Sequence, residues 1–267
     1  MISRKRRNKT KKDQQGYLII FIGAVFVVMF TFFYYEHAAN INTRDKVTLC
    51  RDDGVVSKET VILVDSTDVF TVSQSMVIKK KIAKVLKNSE IDERFTVYIL
   101  SEDENGFGKY LSVCNPGDGQ DTNELVSNKR KLNKAWEEGF YLKINTAIDG
   151  VMKNNSSDKS PIMEMLKFSS IDTMMDSKAL NKRIIIVSDM LHHTKEFSHY
   201  KNYKKPRDFL NSKYGLLVKP YLNNVELAIY YVNRANSNEI QNRGHILFWE
   251  KYVQASGGFI SSVVSIY

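Results

Sequence analysis

The sequence predicts an α/β fold: a doubly wound, mostly parallel sheet with helices on both faces, preceded by one N-terminal transmembrane helix. Short apolar, β-branched runs alternate with amphipathic segments along most of the chain, and this alternation is typical of doubly wound sheets. The apolar runs contain few polar residues, as expected for parallel strands that are buried on both faces. A long uncharged run directly follows a basic N-terminus and predicts the transmembrane helix.

The first 36 residues predict a membrane anchor. Residues 16–35 are uncharged and, at about 1.5 Å of helix rise per residue, long enough to cross a hydrocarbon core about 30 Å thick. Seven basic residues and one acidic residue precede them, and basic residues beside a span favour the cytoplasmic side. We therefore expect a cytoplasmic tail at 1–15, a helix in the lipid bilayer at 16–36, a tether at 37–56, and a domain at 57–267 outside the cytoplasm.

This segment has two alternative interpretations. A cleaved signal peptide has an apolar region of about 7–15 residues that ends at a small-residue site. This run is longer and ends in Phe32, Phe33, Tyr34 and Tyr35, which suit a membrane interface, although Ala38-Ala39 offers a cleavage site. A buried core helix fits poorly with a position behind seven cations. The layout favours a single-pass protein of an inner (cell) membrane whose domain is periplasmic or extracellular.

The predicted strands share apolar β-branched composition, and the clearest of them is Arg183-Ile-Ile-Ile-Val-Ser188. In chain order, the strands are predicted at residues 60–64, 95–100, 110–114, 183–188, 225–232 and 259–266. The turn Asn115-Pro116-Gly117 closes the third.

The predicted helices share apolar residues at helical spacing. Ser160-Pro161 marks one helix start, and Gly257-Gly258 marks the end of the last helix. In chain order, the helices are predicted at residues 72–86, 125–152, 162–175, 207–217 and 238–255.

Net charge argues against a nucleic-acid-binding protein. The formal net charge is +9, but the seven basic residues and one acidic residue of 1–15 account for most of it, and the rest of the chain has a net charge of only +3. No stripe of cations or aromatic stacking motif remains to follow a phosphate backbone. We expect no nucleic-acid partner.

Cys50 and Cys114 are the two cysteines, and both lie in the predicted exported part. An even count outside the cytoplasm favours one disulfide, which would stabilise the fold by about 4 kcal/mol through loop closure. The alternative is two buried thiols that pack as small apolar groups.

Polar clusters follow the predicted strands where doubly wound sheets bind ligands. Asp65-Ser66-Thr67-Asp68 follows the first strand, Ser160 begins a middle helix, and Asp189 follows the Ile-Ile-Ile-Val strand. These loops converge at the switch point of such a sheet. Carboxylate and hydroxyl oxygens suit Mg²⁺ or a similar divalent cation.

With these motifs, residues 57–267 resemble the von Willebrand factor A (VWA) domain family. The resemblance implies a metal-ion-dependent adhesion site formed by Asp65, Thr67, Ser160 and Asp189, with Mg²⁺, or Mn²⁺ or Ca²⁺, bridging to a carboxylate of a partner protein. Val69 departs from the family pattern, because a second hydroxyl residue belongs at that position. Asp68 is an additional candidate ligand that would compensate for it.

Each of these residues also has a purely structural interpretation. Thr67 or Asp68 would cap the following helix and Ser160 the helix at Pro161, each contributing about 1 kcal/mol. Asp189 would organise a turn through its own backbone. The two aspartates at corresponding strand ends favour a shared site.

Other metal sites have weaker patterns. His192, His193 and His199 offer imidazoles for Zn²⁺ or Cu²⁺, but without the usual ligand spacing. The acidic loop Glu102–Glu104 lacks a calcium-loop pattern. We interpret both as surface loops.

The sequence contains no serine-hydrolase elbow, phosphate-binding loop or zincin motif. We expect a non-enzymatic protein–protein interaction module that docks envelope or membrane proteins. Phe197, Tyr200 and Tyr203 are candidates for the partner surface. The alternatives are a metal-free scaffold of an envelope complex and a metal-dependent hydrolase that uses the same carboxylates.

Overall fold

The computed structural model describes residues 3–39, 43–100, 107–120, 128–152, 157–201 and 205–267. The chain forms two compact units, Met1–Thr43 and Arg44–Tyr267.

The first unit is a helix, α1, spanning Ser3–Ala39. Within it, the 20 residues Gly16–Tyr35 are long and apolar enough to cross a membrane, and none of their side chains is buried by protein. Exposed apolar surface of this extent is costly in water, and a lipid bilayer would cover it. A helix thus lies where the sequence predicts the membrane span.

The second unit is built on a six-stranded sheet. The strands are Lys58–Asp65 (β1), Arg94–Leu100 (β2), Phe107–Cys114 (β3), Asn181–Ser188 (β4), Val225–Val232 (β5) and Phe259–Ile266 (β6). Their spatial order is β3-β2-β1-β4-β5-β6. All neighbours are parallel except β2 and β3. The predicted doubly wound, mostly parallel sheet is confirmed, and its switch point lies between β1 and β4.

Helices connect most of the strands in chain order and pack on the faces of the sheet. The helices are Val72–Lys87 (α2), Lys129–Lys134 (α3), Leu142–Val151 (α4), Ile162–Ser169 (α5), Pro206–Leu210 (α6), Lys213–Leu217 (α7) and Arg243–Ala255 (α8). Wider π-type turns at Ala135–Tyr141 and Ser170–Met175 join α3 to α4 and extend α5.

Three helix predictions differ from the structure in their limits. The helix predicted at 125–152 begins at Lys129, because the Asn128 side chain accepts the Lys131 N–H. The helix predicted at 207–217 is two short helices, because Ser212 accepts the backbone N–H of Gly215 and starts a new one. The last helix begins at Arg243 rather than at 238, because the Asn242 side chain accepts the N–H groups of Gly244 and His245.

Alternate residues of each central strand pack on opposite faces of the sheet. Val61 and Leu63 of β1 face a core formed with α5 and α8, whereas Ile62 and Val64 face a core formed with α2 and α4. Burial on both faces explains why these strands are continuously apolar.

The segment before β1 is attached to the domain. Cys50 is joined to Cys114 at the end of β3 by a disulfide, which confirms the predicted bridge. Beside it, the Cys114 N–H donates to the Thr48 carbonyl at 2.8 Å, and the Arg44 guanidinium lies 2.6 Å from the Asp92 carboxylate. Residues 44–56 of the predicted tether therefore belong to the compact unit.

Candidate functional site

The loops after β1, β4 and β5 meet at the carboxyl ends of the parallel strands. We name residues 66–71, 189–201 and 233–242 the carboxyl edge. β1 and β4 are direct neighbours and their chains continue to opposite sides of the sheet, so this edge lies at the switch point, where doubly wound sheets bind ligands.

Asp65 is the centre of the site and is only 4% exposed. Its Oδ1 accepts the Thr67 backbone N–H at 3.1 Å and the Thr67 hydroxyl at 2.6 Å. Its Oδ2 accepts the Ser160 hydroxyl at 3.2 Å and the Ser188 hydroxyl at 2.7 Å. Four protein donors thus compensate the buried carboxylate for its lost water.

Ser160 reaches Asp65 because its backbone is paired with the loop after β4. Its N–H donates to the His193 carbonyl and its carbonyl accepts the His193 N–H, both at 2.9 Å. The Ser160 side chain therefore turns to the site and does not cap α5. Likewise, α2 is capped by Thr71, which accepts the Gln74 N–H at 3.1 Å, and not by Thr67 or Asp68.

Asp189 is 2% exposed and joins the loops after β4 and β5. Its Oδ1 accepts the Leu191 N–H at 2.8 Å, and its Oδ2 accepts the Nε–H of Arg234 at 3.2 Å. Burial, followed by the nearby charge of Asp65, raises the pKa of the Asp189 carboxyl above its usual range, whereas the Arg234 charge opposes this rise.

Arg234 is a site residue that the sequence patterns did not reveal. Besides Asp189, its guanidinium donates to the Val69 carbonyl at 2.7 Å through Nη1. Its Nη2 lies 4.0 Å from an Asp68 carboxylate oxygen. The available signal was its position two residues after a predicted strand, at the same edge as Asp65 and Asp189.

A strained turn follows Asp189, and two side chains of α8 hydrogen-bond to its backbone. Met190 has a φ of +62°, which a non-glycine residue adopts at a cost of about 1 kcal/mol or more. Its carbonyl accepts Nε1–H of Trp249 at 3.0 Å and lies 3.1 Å from Nε2 of His245. These buried side chains of α8 fix the direction in which Asp189 points.

The structure also locates the other predicted site residues. Tyr200 is 47% exposed; burial of its phenol, followed by the charges of Asp189 and Asp68, raises its pKa to about 12. Phe197, expected on a partner surface, is partly buried, and its ring stacks on Phe248 with ring centroids 5.7 Å apart. Tyr203 lies outside the described residues.

The histidines of the same loop are structural. His192 and His199 are buried and hydrogen-bond within the loop and to Tyr214, and His193 lies 2.8 Å from the Ser198 hydroxyl. Among the described residues, no group of three or more His, Cys, Asp or Glu side chains is arranged to hold a metal ion. The acidic loop Glu102–Glu104 lies outside them.

The donor set at the carboxyl edge does not fit a divalent cation while Arg234 is in place. Hard oxygens of the right kind are present, but every carboxylate oxygen of Asp65 and Asp189 already accepts a protein donor. One of these donors is a guanidinium, whose positive charge repels a metal ion.

Fold and site together make this chain a doubly wound α/β protein with a buried carboxylate cluster at its switch point. No protein-family model matches the sequence, and no curated protein matches it. The chain is similar to a solved aerotolerance-related membrane protein from Bacteroides fragilis NCTC 9343, at 10% identity and a TM-score of 0.41, covering 79% of this chain and 92% of that one. It is similar at the same identity and TM-score to the conserved hypothetical protein BatB from Bacteroides thetaiotaomicron, covering 78% of this chain and 89% of that one. Likeness at this level supports no functional argument.

Proposed function

We propose that this protein is a membrane-anchored protein-interaction module of the cell envelope, which docks envelope or membrane proteins at its carboxyl edge without catalysing a reaction. The observation behind the proposal is an exposed surface of apolar, aromatic and charged side chains. It lies over the buried Asp65 and Asp189 carboxylates and their hydrogen-bond donors. Val69 is 67% exposed there, Tyr200 is about half exposed, and the Asp68 carboxylate is half exposed. Exposed apolar and tyrosine side chains beside an arginine are typical of protein interfaces.

The buried cluster supports this proposal because it holds the surface in one conformation. Arg234 joins Val69 to Asp189, and Ser160 and the last residue of β4, Ser188, both donate to Asp65. A surface that is rigid before binding loses less conformational entropy when a partner docks. The resemblance to VWA domains, which dock proteins at the corresponding edge, points in the same direction.

Docking at the carboxyl edge predicts a position-specific effect of charge. A photocrosslinking residue introduced at Tyr200 of the full chain, in its native membrane, is expected to give discrete protein adducts. Val69→Arg should lower their yield about tenfold, which corresponds to about 1.4 kcal/mol and to the loss of one important interface contact.

Leu180 provides the matched control, because it is 86% exposed and lies just before β4, at the opposite edge of the sheet. Leu180→Arg should leave the adduct yield from position 200 unchanged. Equal yields in Val69→Arg and the unmodified chain would refute docking at the carboxyl edge.

We also propose that the basic tail is cytoplasmic and that Arg44–Tyr267 faces the periplasm or the cell exterior. The tail charge supports this orientation, and the disulfide is of the kind that persists outside the cytoplasm. The apolar helix α1 supplies the anchor in the bilayer.

Lysine accessibility tests this orientation. In right-side-out vesicles, a membrane-impermeant amine reagent is expected to modify domain lysines such as Lys79 and Lys80. Lys5, Lys9 and Lys11 should be modified only after the membrane is permeabilised, and inverted vesicles should give the reverse pattern. Modification of the tail lysines in intact right-side-out vesicles would contradict the proposal. So would the finding that the membrane-bound protein has lost its basic tail by cleavage.

A further inference from the structure

We propose that Arg234 is the resident cation of the Asp65–Asp189 site and takes the place of a divalent metal, so that docking at the carboxyl edge requires no metal ion. The inference rests on the proposed function in taking this edge as the docking site. The assignment of the cation itself rests on the contacts of Arg234.

The guanidinium of Arg234 makes the connections that a central cation would make. It contacts Asp189 of the loop after β4 at 3.2 Å and the carbonyl of Val69, in the loop after β1, at 2.7 Å. It also lies 4.0 Å from Asp68. Since Arg234 itself follows β5, a single positive charge joins three loops of the carboxyl edge.

The side chain is placed before any partner arrives. The Arg234 backbone N–H donates to the Gln241 side-chain oxygen at 2.7 Å, and the amide of Gln241 in turn donates to the carbonyls of Asp189 and Val232 at 3.0 and 2.9 Å. The guanidinium carbon lies 5.7 Å from the centre of the Phe70 ring, within the range of a cation–π interaction.

The residue at position 69 links this arrangement to the sequence. In the VWA pattern this position has a hydroxyl side chain, whereas here it has valine, whose side chain cannot coordinate a metal. The backbone carbonyl of Val69 is instead a direct acceptor of Arg234. The lost hydroxyl and the gained arginine contact therefore occur at the same position.

The charges at the site agree with this assignment. Asp65 and Asp189 are nearly buried, and the Arg234 side chain is 19% exposed. An arginine keeps its charge at all ordinary pH values and donates in fixed directions. The buried Asp189 carboxylate is paired with this charge, and a divalent ion entering beside the guanidinium would be repelled by it.

The test is manganese binding by the full chain in detergent micelles, measured from the EPR signal of free Mn²⁺ and from the thermal midpoint of the domain with Mn²⁺ or EDTA. The unmodified chain and Arg234→Lys, which keeps the positive charge, should show no saturable binding and no shift of the midpoint. Arg234→Ala and Arg234→Gln should bind Mn²⁺ and gain a higher midpoint when it is added, because the Asp189 carboxylate loses its guanidinium partner and the repelling charge beside Asp65 is gone.

Saturable Mn²⁺ binding by the unmodified chain that is lost in Asp65→Asn would overturn the inference. So would the absence of Mn²⁺ binding in whichever of Arg234→Ala and Arg234→Gln retains a cooperative thermal transition. The crosslinking experiment at position 200 tests the docking function separately. If it gives no adducts, docking at the carboxyl edge is refuted and the manganese result still stands. If adducts form but disappear in EDTA, docking is supported and its independence of metal is overturned.

Discussion

Acidification from pH 6.5 to 5 is expected to destabilise the domain by about 3 kcal/mol, because three histidines are buried in their neutral form. Burial lowers the pKa of His192 to about 3 and that of His245 to about 4, and it holds the pKa of His199 well below its usual value. In the unfolded chain each of these groups takes up a proton near pH 6.5.

The sign follows from proton uptake. Below pH 6.5 the unfolded state binds protons that the folded state excludes, so stability is full above this pH and is lost towards pH 4, by at most about 1.4 kcal/mol per pH unit for each histidine. The buried carboxyls of Asp189 and Glu164 have raised pKa values and oppose this effect. The net slope is therefore about 2 kcal/mol per pH unit rather than about 4.

Denaturant unfolding of the full chain at pH 7.5, 6.5 and 5, conditions chosen to span the transition at about pH 6.5, followed by tryptophan fluorescence, measures the effect. His245→Gln is the matched variant, because an amide can still donate to the Met190 carbonyl but does not titrate. It should flatten the slope by about 1.4 kcal/mol per pH unit. A stability that is constant or rises between pH 6.5 and 5 would show that the histidines are not excluded from protonation.

Reduction of the Cys50–Cys114 bond is expected to cost about 4 kcal/mol, because a long loop then regains its freedom in the unfolded state. The two cysteines are 64 residues apart in sequence. The described chain has no free cysteine, so the effect of a reductant can be assigned to this bond.

The measurement is the denaturant midpoint of the full chain with and without a reducing agent. Cys50→Ser with Cys114→Ser should match the reduced unmodified chain and should not respond to the reductant. A midpoint that is unchanged on reduction would mean that the local hydrogen bonds of Thr48 and Arg44 are sufficient to hold this segment in place.

Much of the fold followed from the sequence because its central strands are buried on both faces. The run at 183–188 has no polar alternation, so its assignment to a parallel strand left little choice. The limits of helices were harder to predict, since they depend on single capping side chains such as Asn242 and Ser212.

The site residues could be predicted where a carboxylate or hydroxyl side chain stands at the carboxyl end of a predicted strand. Asp65, Thr67 and Asp189 lie at one edge because they end or follow neighbouring parallel strands, and backbone pairing with His193 brings Ser160 to Asp65. Ser188 and Arg234 were missed, since a serine inside a strand and an arginine after one are both common without any role in a site. The loop position of Phe197 did not reveal that its ring is partly buried against the core.

The disulfide also determines how the domain would respond to tension between the membrane anchor and a bound partner. A pull on residue 43 passes along the chain to Cys50, and the sulfur bond then transfers it directly to Cys114. β1, α2, β2 and β3 all lie within this closed loop, so force that leaves the domain through a residue after Cys114, such as Tyr200, bypasses that half of the sheet while the bond is intact. The segment to yield would come from residues after Cys114, and the strand that bears Asp65 would keep its length under load.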